Sequence, residues 1–387
     1  MYKVWDYLRK NTDRRHPTSI AKMRKDENIN AYIGDKETIN RLLKDMANIM
    51  NLEDGGSDYK PEAEWRLYFD DFKKFYGDKE RYERDDSDED DSYIANVMRI
   101  KNLYYNRTFS EKEIDSIIDG IMATRTLDSK SAQELVRKVE DNMTTVFYKR
   151  TPRHICKVQE PELADRELLK DNLAIIQKAI DDNVRIQFRF NGYSYEKKLE
   201  PVRAEMDELS PYYIVASGGK YYLLAAKEYE GYKPNMSIWR IDLMTDIEIP
   251  GRNDRLHIKG IPRIPKKNVS NLPEKWSEDF QLKHLNMSFD KPVPVTLRIK
   301  SEKCEDNPKK RVRPGYTFLH DWFGDSFTYI RTETNPPYDD IVRVECSPYG
   351  MAHWALQYSE LVEVLEPESL REDIKSKIKA LNEKYSL

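Results

Sequence analysis

Two stretches of this sequence bring together side-chain types that can work on nucleic acid. Between residues 36 and 44, Lys36, Thr38, Asn40, Arg41 and Lys44 are interleaved with Ile39, Leu42 and Leu43. With Met46 and Ile49, the apolar members recur at spacings of three and four, so a helix puts them on one face and turns the polar members away. Arginine pairs with guanine and asparagine with adenine, whereas lysine suits phosphate oxygens. Arg41 and Asn40 are therefore candidates for base edges, and Lys36 and Lys44 for phosphates; Thr38 shares their face. The plainer reading is a solvated helix face. In residues 184–240, Arg189, Lys198, Arg203 and Arg240 accompany Tyr193, Tyr221 and Tyr222. Cations beside aromatic rings suit phosphate contact with base stacking, on a nucleotide or a single strand. Here too a plainer reading stays open. Tyr222 can be core, the cations can pair with Glu196, Glu200 and Glu205, and Arg240 can pair with Asp242. The balance of this stretch is 9 basic against 7 acidic residues.

Catalytic motifs are missing. The sequence holds no P-loop, GxGxxG, HExxH or GxSxG. Six histidines (His16, His154, His257, His284, His320, His353) lack metal-ligand spacing. Cys156, Cys304 and Cys346 are odd in number and far apart, which gives neither a disulfide framework nor a zinc site. We expect no enzyme activity, no cofactor and no metal. The opening residues have no apolar signal-peptide core, and no apolar run approaches membrane length, so a cytoplasmic location is expected. Net charge is −4 but unevenly spread. Residues 1–50 hold 11 Lys/Arg against 7 Asp/Glu, and residues 51–105 hold 9 against 16. A basic head before an acidic stretch suggests a localised nucleic-acid surface.

The elements that must position these residues are partly legible. Val4, Trp5 and Leu8 outline a first helix, and Thr18 or Ser19 caps a second bearing Ile20 and Met23. Asp35 caps the third, which carries the first candidate site. Gly55-Gly56 marks a turn, residues 62–75 suit a helix, and Asp85–Asp91 is a like-charge block expected in a solvated loop. Ser110 with Glu113 forms a capping box before Ile114, Ile117, Ile118 and Ile121. A further helix follows from Ser131 with Leu135, Val136 and Val139 inward. Residues 151–166 look like a linker, and Leu168–Ile180 is amphipathic. The period then changes to two, with strands predicted at Ile186–Phe190, Tyr212–Ala216, Tyr221–Ala226 and Ile238–Met244. Residues 251–288 are punctuated by proline. The tail alternates strands (294–300, 327–332, 341–347) with helices near 349–358 and 367–385, as in a split βαβ fold.

Several of these segments resemble one family in its expected order. Lys220-Tyr221-Tyr222-Leu223-Leu224-Ala225 is similar to the Trp-Tyr-Leu motif of WYL domains. Arg189–Tyr193 and Lys198–Pro201 resemble that family's first two strands, and Trp239-Arg240-Ile241-Asp242 a later one. Trp354–Leu356, Val362–Pro367 and Leu370-Arg371 resemble the C-terminal extension of WYL proteins. Thr38–Arg41 with Asp45 resembles the recognition helix of their winged helix-turn-helix. Ser237, Leu243 and Lys198 stand where relatives often have arginine.

The resemblance implies an α+β fold with four parts: an N-terminal winged helix, a helical linker, an SH3/Sm-like small β-barrel and a ferredoxin-like C-terminal domain. The expected boundaries are 1–105 for the DNA-binding winged helix with its acidic loop, 106–166 for the linker and dimerisation region, and 167–250 for the WYL domain. A connecting segment at 251–288 and the extension at 289–387 complete the chain. It further implies a bacterial transcription regulator that binds double-stranded DNA as a homodimer. The WYL domain would sense a nucleotide or single-stranded nucleic acid. The rival is an accessory protein that binds single-stranded nucleic acid or modulates an RNA-guided defence effector.

Overall fold

Capping and apolar spacing account for the first helices. In the computed structural model, described here for residues 1–53, 58–76, 99–124, 127–150, 166–300, 303–304, 307–311 and 315–385, α1 is Tyr2–Asn11, α2 Ile20–Met23, α3 Glu27–Asn30 and α4 Lys36–Asn51. The Ser19 hydroxyl accepts from Lys22 N and caps α2. Asp35 Oδ1 accepts from Glu37 N at 2.9 Å and Thr38 N at 2.8 Å, so two of the unpaired amides at the start of α4 are satisfied. Val4, Leu8, Met23, Ile29, Ile39, Leu43 and Met46 close over Trp65, Phe69 and Phe72 in one core. The stripe ends earlier than its spacing predicts, because Ile49 is 71% exposed.

The segment predicted as one helix over 62–75 is instead a 3₁₀ turn, a short strand β1 (Leu67–Tyr68) and helix α5 (Asp70–Tyr76). Strand β1 pairs antiparallel with β2 (Tyr104–Tyr105), and Thr18 bridges Leu103 beside it. Then come α6 (Glu111–Ala123), opened by the predicted Ser110/Glu113 capping box, and α7 (Ser129–Met143). Ile114, Ile118 and Met122 pack on Ala132 and Val136, so much of the isoleucine stripe is used within the helix pair. Leu135, predicted inward, is exposed. The Gly55-Gly56 turn, the acidic block and nearly all of the 151–166 linker fall outside the described residues.

Residues Met1–Glu162 and Leu163–Leu387 form two compact units. In the second, α8 (Arg166–Asp182) lies on a six-stranded antiparallel sheet made of β3 (Ile186–Tyr193), β4 (Leu199–Pro201), β5 (Asp207–Ser217), β6 (Lys220–Tyr229), β7 (Tyr232–Arg240) and β8 (Met244–Glu248). Strand β3 pairs with β5 and β8 through its first half and with β4 through its second. This shared strand curls the sheet into a half-barrel. One face buries Phe188, Leu223, Ala225 and Met244 against Ile176 and Ala179 of α8. The other buries Tyr212, Leu224 and Met236 against Ile264, Val269, Leu272 and Phe280. The proline-punctuated segment is therefore the cover of the second face.

A second sheet follows, of β9 (Val293–Ile299), β12 (Thr328–Thr332), β13 (Asp340–Cys346) and β14 (Val362–Glu366), in the order β12-β13-β9-β14. The small hairpin β10 (Lys303–Cys304) and β11 (Asn307–Arg311) sits apart from it. Helices α10 (Thr317–Phe323), α11 (Pro348–Gln357) and α12 (Glu368–Tyr385) are interleaved, after a one-turn α9 (Phe280–Lys283). With β13 inserted between β9 and β12, the order is that of a split βαβ arrangement. Trp354, fully buried, anchors α11 among Leu297, Phe323 and Val364. Cys346 is also core, and burial pushes its thiol up to about 12.

Candidate functional site

Helix α4 presents Lys36, Thr38 and Arg41 at the surface, with Asn40 half-buried beside them. Its entry is fixed by Asp35 and by Arg24, whose Nη2 donates to Gly34 O at 3.0 Å. Two of the five candidates depart from the sequence expectation. The Thr38 hydroxyl donates to Asp35 Oδ2 at 2.5 Å, so it serves the helix cap. Lys44 does not point away from the core: it is buried, 8% exposed. Desolvation lowers its pKa while the Asp71 charge acts to raise it. Position 44 flanks the Leu43–Ala47 edge of the stripe, where α5 packs, and the α4 periodicity alone cannot show what arrives there. Glu37 and Asp45 are exposed near Lys36 and Arg41, so this face is mixed in charge.

The seven candidates of the half-barrel do not form one site. Strand β6 alternates, so Tyr221 lies on the face with Trp239 and Phe188, and Tyr222 on the opposite face. Tyr222 is the cross-strand partner of Arg240, and both Tyr222 and Tyr193 are close enough to bear on the Arg240 charge. Arg240 is held by Asp242 through Nε–Oδ1 at 3.2 Å and Nη2–Oδ2 at 2.6 Å. Burial acts to lower the Arg240 pKa, but the Asp242 carboxylate outweighs it and the net shift is upward. The strand predicted over 238–244 stops at Arg240, and a 3₁₀ turn at Ile241–Leu243 carries Asp242 back under the guanidinium.

Elsewhere, Arg203 lies 3.4 Å from Asp207, which also takes Lys227 at 2.7 Å, and its guanidinium is 5.9 Å from the Trp239 ring. Arg189 pairs with Asp246 at 3.4 Å and donates to Ala204 O at 3.0 Å. Lys198 pairs with Glu196 at 2.7 Å. The structure thus brings together Tyr193, Tyr222 and Arg240, and disperses Arg189, Lys198, Arg203 and Tyr221. Asp207 is fully buried beneath two cations, although an acidic residue next to Glu205 and Glu208 looks like surface in the sequence.

A cavity of about 680 Å³ in the first unit is walled by the turn after α1, the segment from β2 into α6, and the segment after α7. Among the described residues, no cluster of His, Cys, Asp and Glu suits a metal, and no helix is long and apolar enough to cross a membrane.

Residues 291–381 match the WCX domain, the C-terminal region associated with WYL domains and the part expected to be that extension. Two solved structures are similar at low identity. Proteasome accessory factor B/C (PafBC) of Arthrobacter aurescens is 17% identical, with 74% of this chain and 39% of that chain covered and a TM-score of 0.23. A CRISPR Cas-related protein is 14% identical, with 73% and 75% covered and a TM-score of 0.30. This chain therefore spans well under half the length of the PafBC chain. No curated protein matches.

Proposed function

We propose that this chain is a DNA-binding transcriptional regulator of the WYL kind, without enzyme activity, that works in the cytoplasm as a homodimer on double-stranded DNA. One observation carries the reading. A capped helix presents Arg41 at the surface, with Asn40 half-buried beside it, on a unit that runs α1, a bridge at Thr18, α2 to α4, β1, α5 and β2, which resembles the order of a winged helix-turn-helix except that α5 stands between the two strands. The WCX match supports the same class. In the half-barrel the surviving effector candidate is the Tyr193, Tyr222 and Arg240 group, where a ring could stack and the guanidinium meet a phosphate. The isoleucine stripe of α6 gives no ground for a dimer, since α7 covers much of it. A symmetric regulator of a two-fold site is the remaining ground, and light scattering on the full chain tests it.

The DNA reading is tested by selecting duplexes from a random pool with the purified protein. The selected duplex is then compared with a single-stranded oligonucleotide of the same sequence. Arg41→Ala is expected to weaken the selected duplex by roughly 1–3 kcal/mol and to relax preference at one base. Asn40→Ala/Arg41→Ala that binds as the parent does would remove α4 from the interface. Lys44→Met should leave the salt slope of binding unchanged, because a buried ammonium releases no counterion. Preference for the single strand would favour the accessory-protein reading.

A further inference from the structure

The cleft of the first unit combines cations without ion-pair partners among the described residues, flat rings and volume. Arg14 and Arg15 in the turn after α1 are exposed and form no ion pair among the described residues. Arg107 is fixed in the wall by donating to Thr12 O at 3.1 Å and Thr144 O at 3.5 Å. It too lacks a paired carboxylate among the described residues, and its Nε is buried without a partner there. Desolvation lowers its pKa, with the Asp13 charge opposing.

Two acidic side chains of the lining are already committed. Asp13 accepts from His16 Nδ1 at 3.0 Å and from the amides of Arg15 and His16 at 2.8 Å each. Glu113 accepts from Ser110 N at 2.7 Å and Ser110 Oγ at 2.8 Å. Glu111 is the third carboxylate of the lining, and against Arg14, Arg15, Arg107, Lys112 and Lys149 the three leave the cleft net cationic. His16 stacks on Phe147 with centroids 3.9 Å apart and planes 15° apart, which gives a flat aromatic wall.

A second cavity of about 670 Å³ adjoins, sharing Arg14, Ala63 and Asn106 with the first. Arg14 stands where the two meet. Volumes of this size accommodate a small organic ligand.

We infer that this cleft binds a mononucleotide, with its phosphate against Arg14 and Arg15 and its base against the His16–Phe147 wall. An arginine pair favours a phosphate over an uncharged ligand, and an aromatic wall favours a planar base over a bare anion. The site lies in the unit that carries α4 and takes no lining residue from α4.

The test uses the full-length protein in calorimetric titrations with AMP and GMP, their unphosphorylated nucleosides, and inorganic phosphate. At least one mononucleotide should bind, and the nucleosides and phosphate should each bind at least about tenfold more weakly. Arg14→Glu and Phe147→Ala should each weaken the mononucleotide about tenfold at an unchanged melting temperature. Absence of binding at millimolar nucleotide, or full affinity in Arg14→Glu, overturns the assignment. Tighter, Arg14-dependent binding of a single-stranded oligonucleotide would replace it with a strand-binding groove. Because no duplex is present, failure here leaves the DNA reading of α4 standing.

Discussion

Asn51→Ala is expected to destabilise the first unit by about 2–4 kcal/mol, since each buried backbone group left unpaired costs roughly 1–3 kcal/mol. Asn51 is the last residue of α4 and has no exposed surface. Its Nδ2 donates to Leu67 O at 2.8 Å, and its Oδ1 accepts from Arg66 N at 2.8 Å and Leu67 N at 3.2 Å. One amide thus joins the end of α4 to the start of β1. Alanine removes all three bonds and leaves a gap that cannot supply a donor and an acceptor together. Asn51→Asp keeps the acceptor and loses the donor, so its loss should be smaller in neutral solution only if the new charge finds water. Urea unfolding followed by pulsed hydrogen exchange of the backbone amides of residues 36–76 reads the first unit. A midpoint unchanged in Asn51→Ala would show that the backbone of 66–67 finds other partners.

That joint explains why part of the fold was hidden in the sequence. An asparagine at a helix end is ordinary as a surface residue, and nothing within a few positions marks its partner 16 residues on. Strand β1 has two residues, too few for a period of two to register, so helix-like spacing dominates the segment. Longer elements were legible because their patterns repeat. The α4 stripe, the Ser110 capping box and the β5–β6 pair fall where capping and periodicity put them. Side-chain fate was less legible than backbone. Lys44 and Leu135 differ from expectation because burial depends on which neighbour covers a flank. The cleft around Arg14 is assembled from three loops far apart in the chain, and no local spacing encodes it.

The same limit applies to Arg240, where the sequence left a ligand site and an internal pair both open. Period-two alternation puts Asp242 on the face of Arg240 only if the strand continues, and it does not continue. The 3₁₀ turn nonetheless brings the carboxylate to the guanidinium with both oxygens engaged. Asp242 has almost no exposed side chain, whereas Arg240 keeps 30% of its own. Removing the arginine strands a buried carboxylate, a loss of about 3–5 kcal/mol when both partners are fully buried. Solvent reaching the guanidinium screens the pair, so about 2 kcal/mol is expected for Arg240→Ala. For a unit of this size that corresponds to a melting temperature lower by about 4–8 °C. Arg240→Ala/Asp242→Asn removes the stranded charge as well and should recover roughly half of the loss. Arg240→Lys keeps a point charge without the two-pronged geometry and should fall between parent and alanine. Differential scanning calorimetry of the three variants separates a structural pair from a phosphate clamp. An unchanged transition in Arg240→Ala, together with a lost response to single-stranded nucleic acid, would mean that the pair yields to a ligand and that the half-barrel is the sensor.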